Sequence, residues 1–319
     1  MSTAPGSDAG DGVEQLDNQT LTAVSGLQVG HWTNLDARTG CTVVLAPEDG
    51  CLASGLVLGP APGSRESALL EPEKSVARVD AVVLSGGSAY GLATATGVME
   101  WLEEQGRGFD TGLYRVPIVP AAVLYDLGVG DGSVRPGAAA GRAAALAASS
   151  TPVQQGRIGA GAGATICKLL GPARSVASGI GSYAVKLNGA VVAALAVSNA
   201  VGNLVDPDTG EIVAGAPELR GLAAATAHRA LPGANTTLVL VATDADIDKS
   251  AARALSLSAH IGIARVTRPS HTLFDGDSAF VLSTRAGPKV APQALSIAVQ
   301  EVVAEALLRG ARAGARFGQ

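Results

Sequence analysis

At 319 residues with 47% hydrophobic side chains, the chain is long enough to bury a substantial core, as one large domain or two ordinary ones. A net charge of -5 with scattered Lys and Arg offers no basic stripe for nucleic acid, and no apolar run approaches the roughly 18 residues of a membrane span. Only 3% of residues are aromatic whereas glycine numbers 41, so tight layers built from small side chains are expected.

Residues 1–18, rich in Ser, Gly, Asp and Ala, read as a flexible tail, and residues 19–319 as a single domain because no repeat or linker divides them. The first Lys or Arg is Arg38, which leaves no positive start for a secretory signal. Cys41, Cys51 and Cys167 lack CxxC spacing and read as structural thiols in a reducing cytoplasm. Strands are expected at 27–31 and 41–45 across a polar turn. His31 has no second His or Cys at ligand spacing, so no metal is expected. A buried strand at 79–84 enters the turn Ser85-Gly-Gly-Ser-Ala-Tyr-Gly91, and a helix follows at 92–104 with Val98, Met99 and Leu102 on one face. That turn matches neither GxxxxGK[ST] nor GxGxxG, so it is assigned to helix-on-sheet packing rather than to nucleotide binding.

The apolar stretch 116–126 ends in Tyr125-Asp126, polar residues at a strand end, and Tyr125 is a candidate pocket residue. Residues 137–149 are Ala-rich and helical. Glycines at 159, 161 and 163 favour close approach by other backbone or by a substrate in a narrow channel, and the run ends at Lys168, whose pKa falls if it is buried. Strands at 183–187 and 190–197 flank Asn188-Gly189, a tight-hairpin signal. The second ends at Asn199, whose amide is placed either to donate to an oxyanion or to cap the following turn.

The chemistry centres on Leu231-Pro-Gly-Ala-Asn-Thr-Thr-Leu238, where a turn delivers Thr236 onto the first position of an apolar strand. Cutting the Asn235-Thr236 bond creates an N-terminus with a hydroxyl nucleophile and an α-amine on one residue. That amine titrates near about 8 against about 10.4 for lysine, so it is the better base at neutral pH. Further on, residues 246–261 form an amphipathic helix with Ile247, Ala251, Leu255 and Ala259 inward, and strands are expected at 263–267 and 279–283. Between them Gly276 lets Asp275 and Asp277 share one turn, too short for a calcium loop. A helix at 292–308 precedes a basic, Gly-rich tail. No GxSxG elbow exists, and His31, His228, His260 and His271 lack distinctive contexts, so a Ser-His-Asp hydrolase is not expected.

Four stretches together resemble the self-processing hydrolase family of the L-aminopeptidase/D-esterase enzymes, the β-peptidyl aminopeptidases and the nylon-oligomer endo-hydrolase. They are Val29-Gly-His-Trp-Thr33, Asp80-Ala-Val-Val-Leu-Ser-Gly-Gly-Ser-Ala-Tyr-Gly91, Asn235-Thr-Thr-Leu238 and Phe274-Asp-Gly-Asp277. The resemblance implies a four-layer α/β/β/α sandwich, autocleavage into chains 1–235 and 236–319, a Thr236 nucleophile, no cofactor and a homotetramer of processed protomers. It places Lys168 and Asn199 beside the nucleophile, with Asn199 donating to the oxyanion. It also has Asp275 and Asp277 orienting the amine and the lysine, and Tyr125 lining the pocket. Other members carry Ser at the nucleophile position, and aminopeptidase members generally carry Ser and Glu where Asp275 and Asp277 stand. The chain therefore looks closer to the nylon-oligomer branch. The expected activity is hydrolysis of linear ω-amino acid oligomers or short peptides through an acyl-enzyme. The alternatives are an exo-acting aminopeptidase, acetyl transfer as in ornithine acetyltransferase, and an uncleaved binding shell.

Overall fold

Val192, Ala194 and Ala196 belong to one apolar cluster and Ala193, Leu195 and Val197 to another, because successive side chains of a strand point to opposite faces. A strand apolar on both faces requires a cover on each side, and the layers follow from that requirement. The structure, a computed structural model, describes residues 12–219 and 233–316.

The strands of the two main sheets are β1 (Val13–Glu14), β2 (Gln28–Asn34), β3 (Thr39–Leu45), β4 (Cys51–Val57), β5 (Gly63–Arg65), β6 (Arg78–Val79), β7 (Ala81–Ser85), β8 (Ala121–Val123), β9 (Ile180–Leu187), β10 (Ala190–Asn199), β11 (Thr236–Thr243) and β12 (Ser278–Ser283). Four helices accompany them: α1 (Thr94–Glu104), α2 (Ala138–Leu146), α3 (Lys249–Val266) and α4 (Pro292–Ala315). The larger sheet runs β1-β9-β10-β11-β12-β4-β6 and the smaller β2-β3-β7-β8-β5. Within them β11 pairs with β12, and β7 with β8, in parallel. A parallel pair needs a long crossover. Those two crossovers hold α3 and α1 respectively.

Val239, Val241, Ala279 and Val281 pack outward against Leu255, Ala259, Val299 and Val302 of α3 and α4. Leu238, Leu240 and Phe280 point the other way, onto Val44, Val82 and Leu84 of the smaller sheet. The far face of that sheet, with Val43, Ala81 and Val83, is covered by Val98 and Leu102 of α1 and Ala144 of α2. The result is the expected α/β/β/α sandwich.

Several local expectations are corrected. Val13–Glu14, inside the stretch read as a tail, pair with Lys186 and Leu187 as an edge strand. Residues 263–266 continue α3 instead of starting a strand, because Ala259, Ile263 and Val266 extend its buried helical stripe, and only Thr267–Arg268 is extended. The basic, Gly-rich C-terminal stretch continues α4 through Ala315. The glycines at 159, 161 and 163 are packed by protein rather than lining a channel. A Cβ on Gly161 would stand 2.2 Å from the Ile180 nitrogen, and one on Gly163 would stand 2.1 Å from the Arg38 carbonyl oxygen. The hairpin is as expected, with Asn188 at φ 49° and Gly189 at φ 84°. Leu231, Pro232 and His228 lie outside the described residues. Among the described residues no helix is long and apolar enough to cross a membrane.

The shortage of side-chain bulk lets α4 lie directly on β9: a Cβ on Gly181 would meet the Ala306 carbonyl oxygen at 2.1 Å. Gly181→Ala is therefore expected to destabilise the protein by about 1–3 kcal/mol through forced separation of helix and sheet. Urea unfolding beside the parent checks this, and an unchanged midpoint would contradict the close packing.

Candidate active site

The antiparallel register of β10 on β11 sets Asn199 directly opposite Thr236. Both side chains fall on the face that carries Leu195, Val197, Leu238 and Leu240, so both project between the two sheets at their edge. The parallel partner of β11 is β12, and the turn entering β12 carries Asp275, Gly276 and Asp277. An isolated parallel bridge between Asn235 and Asp275 extends that pairing to the residue before Thr236. Sheet register thus gathers residues 199, 235, 236 and 275–277 from three separate strands.

The Asn235 carbonyl oxygen accepts two hydrogen bonds, one from the Gly276 N–H at 2.8 Å and one from the Thr236 hydroxyl at 2.6 Å. The hydroxyl therefore stands against the very peptide group whose cleavage would free its own α-amine. The Thr237 N–H donates to Asp277 Oδ1 at 2.6 Å, and the other oxygen of Asp277 meets His271 Nδ1 at 2.7 Å. Asp275 accepts both the N–H and the hydroxyl of Thr272, each at 2.7 Å.

Lys168 enters from a short 3-10 turn after Cys167. Its Nζ donates to the Asn199 carbonyl at 3.0 Å, to Asn199 Oδ1 at 2.6 Å and to the Ala234 carbonyl at 3.0 Å. The Asn199 side-chain amide donates in turn to the carbonyls of Tyr125 at 3.1 Å and Ala234 at 3.2 Å. Asn199 does not reach the Asn235 carbonyl in this arrangement. The backbone donor there is Gly276.

Burial lowers the Lys168 ammonium to about 7, against the opposing pull of Asp275 and Asp126. Burial raises Asp275 to about 6, reinforced by the negative charge of Asp277 and resisted by hydrogen bonds from Thr272 and the Val201 backbone. His271 is pushed down by burial, but its hydrogen bond and attraction to Asp277 prevail and hold it above the ordinary histidine value. A proton acceptor near neutrality and a carboxyl group just below it thus belong to the elements packed around the start of β11. Among the described residues no group of His, Cys, Asp and Glu is arranged to hold a metal.

A cavity of about 310 Å³ opens beside this cluster, with Tyr125, Thr165, Lys168 and Ala234 in its wall. Of the residues singled out from sequence, Tyr125 and Lys168 line the cavity, Asn199 bonds Lys168 and the Tyr125 carbonyl, and Asn235, Thr236, Asp275 and Asp277 stand at the adjoining strand ends. Three further participants emerge only here. Gly276 supplies the N–H on the Asn235 carbonyl, and His271 holds Asp277. Asp126 takes the Gly87 N–H and the Thr39 hydroxyl, both at 2.7 Å, so the Gly-rich turn binds an anion after all, a carboxylate of the chain itself. Its position beside Tyr125 at a strand end was the available signal. His31, by contrast, bonds Thr42 within the core, where burial lowers it to about 4.

The profile of peptidase family S58 matches residues 19–316. An uncharacterized aminopeptidase of Mycobacterium tuberculosis is 42% identical over 292 residues, covering 84% of this chain and 82% of that protein. A 6-aminohexanoate-oligomer endohydrolase of Paenarthrobacter ureafaciens is 30% identical over 216 residues, 64% of this chain and 60% of its own. Among solved structures, the L-aminopeptidase D-Ala-esterase/amidase of Ochrobactrum anthropi, described as a variant of the Ntn-hydrolase fold, superposes with a TM-score of 0.69. It is 18% identical, over 92% of this chain and 85% of that one. That likeness shows the fold.

A Cβ on Gly276 would stand 2.9 Å from Thr236 Oγ1 and 2.5 Å from the Ala61 carbonyl oxygen. Gly276→Ala is expected to displace the turn from the Asn235 carbonyl and slow any scission at that bond at least tenfold. Fragment mass over a time course is the measurement, with circular dichroism confirming that the variant is folded.

Proposed function

The chain belongs to peptidase family S58 and is a hydrolase of the peptidase/amidase type, and we propose that its nucleophile is Thr236, released by scission of the Asn235-Thr236 bond. The observation that carries this reading is the Asn235 carbonyl oxygen held between the Thr236 hydroxyl at 2.6 Å and the Gly276 N–H at 2.8 Å. In the proposed step Thr236 Oγ bonds to the Asn235 carbonyl carbon while the Gly276 N–H stabilises the oxygen as it gains charge. The C–N bond breaks, and the departing nitrogen takes up a proton to become the α-amine. Water then cleaves the resulting ester, leaving a carboxylate on Asn235 and a free hydroxyl on Thr236. Before that amine exists, Lys168, with its value near 7, is the group able to hold the hydroxyl proton at neutral pH.

In the uncut chain the Ala234 carbonyl occupies both the Lys168 ammonium and the Asn199 amide. Departure of that segment frees two donors beside the cavity. Our reading is that they then receive the oxyanion of a substrate amide, while the Thr236 amine, titrating near about 8, takes the hydroxyl proton. The substrates proposed are linear ω-amino acid oligomers or short peptides, and the processed protomers are proposed to assemble as a homotetramer. The second reading, an exo-acting aminopeptidase, is favoured by the name of the 42% identical mycobacterial relatives. Product length separates them, since exo action releases single N-terminal residues. A Ser-His-Asp mechanism finds no support, because both ring nitrogens of His271 are engaged, by Asp277 and by the His260 carbonyl.

Intact mass under denaturing conditions tests the nucleophile. The parent is expected to give fragments 1–235 and 236–319, and Thr236→Ala a single full-length mass with no amidase activity. A single uncut mass in both after prolonged incubation would sink the mechanism. The pH dependence follows from Lys168. Its base form grows as pH rises through about 7, so scission of freshly synthesised chain should accelerate across that window. Lys168→Arg, permanently charged, is expected to lose that acceleration.

A further inference from the structure

The cavity lined by Lys168 and Ala234 carries three cationic side chains in its wall, Arg38, Arg157 and Lys168, and no Asp or Glu among the described residues that line it. Lys168 is consumed by the carbonyls described above. The two arginines are not: among the described residues neither has a hydrogen-bond or carboxylate partner, whereas Arg142, Arg174, Arg265 and Arg285 each hold an acidic side chain. We propose that Arg38 and Arg157 form a carboxylate-binding clamp at the cavity wall, selecting amide substrates that carry a free carboxylate. The proposal rests on the cavity being the substrate site.

The backbone under Arg38 is fixed for this purpose. It adopts a left-handed conformation at φ 53°, uncommon for a residue with a side chain. Close-packed glycines hold it from two sides. A Cβ on Gly163 would meet the Arg38 carbonyl oxygen at 2.1 Å, and one on Gly130 would meet the Ala37 carbonyl oxygen at 2.1 Å. The backbone is thereby pinned while the long side chain stays exposed to reach a ligand. Arg157 is half-buried, and both its burial and the neighbouring charge of Arg38 press against its ionised form. Two adjacent, unpaired guanidiniums repel each other, and an anion between them removes that repulsion. Guanidinium forks match the two oxygens of a carboxylate. The same wall disfavours a free ammonium next to the scissile amide, which an aminopeptidase would have to accommodate. A linear oligomer presenting its carboxyl end satisfies it.

The test uses the purified full chain after processing, with 6-aminohexanoate trimer and its C-terminal primary amide as a matched pair. Calorimetric binding and hydrolysis kinetics are both read. The parent is expected to favour the free carboxylate at least tenfold through KM, with similar kcat. Arg38→Gln and Arg157→Gln should each cut that ratio severalfold while leaving turnover of the neutral amide and scission at Asn235 unchanged. Arg157→Glu should reverse the preference. Equal affinity of the parent for both compounds, or variants that weaken both alike, would overturn the clamp. Arginine-dependent carboxylate binding without hydrolysis would uphold the clamp and overturn the nucleophile reading. Turnover without carboxylate preference would do the reverse.

Discussion

The hydrogen bond from the Gly276 N–H to the Asn235 carbonyl is the contact around which this molecule is arranged. It exists only because β11 and β12 run parallel, with the turn at 275–277 lying beside the start of β11. Parallel pairing obliges the chain to cross over the sheet, and α3 makes that crossing. Burying α3 in turn requires α4, whose residues share its apolar cluster. The smaller sheet closes the opposite face and delivers Tyr125 and Asp126 from the end of β8 to the same edge. One carbonyl is thus held by a framework that uses all four layers.

The electrostatics of the site follow from how little water reaches it. Asp126, Asp275 and Asp277 are each about 1–2% exposed, and a buried carboxylate is tolerable only with donors around it. Each has them: Gly87 and Thr39, Thr272, and Thr237 with His271. Burial favours the neutral amine of Lys168 while the negative charges of Asp275 and Asp126 favour the ammonium, and these opposed demands bring it near 7.

Small residues serve packing and site alike. Gly181, Gly310 and Gly314 let α4 touch β9 and the residues leading into it, and Gly161 and Gly163 let the strand-linking loop touch the backbone of Ile180 and Arg38. Gly276 lets a backbone amide approach a hydroxyl-bearing residue to within bonding reach of its neighbour's carbonyl. The scarcity of aromatic side chains is the compositional trace of this close approach.

Local pattern sufficed for much of this protein. Alternating and continuous apolar runs marked β3, β7, β10, β11 and β12, Asn188-Gly189 marked the hairpin, and a hydroxyl residue at the head of an apolar strand marked Thr236, since these signals depend on neighbours in sequence. Local pattern also singled out Lys168, Asn199, Asp275 and Asp277, and the motif resemblance supplied the roles expected of them and the layered fold. Pattern failed at residues 263–266, where a short apolar run fits either period and only burial against α4 selects the helix. It also could not say which donor meets which carbonyl. That Gly276 rather than Asn199 reaches Asn235, that His271 grips Asp277, and that Arg38 and Arg157 line one cavity are matters of sheet register and loop placement between segments far apart in the chain. A shift of one residue in pairing would turn each side chain to the opposite face, so those contacts belong to the tertiary structure alone.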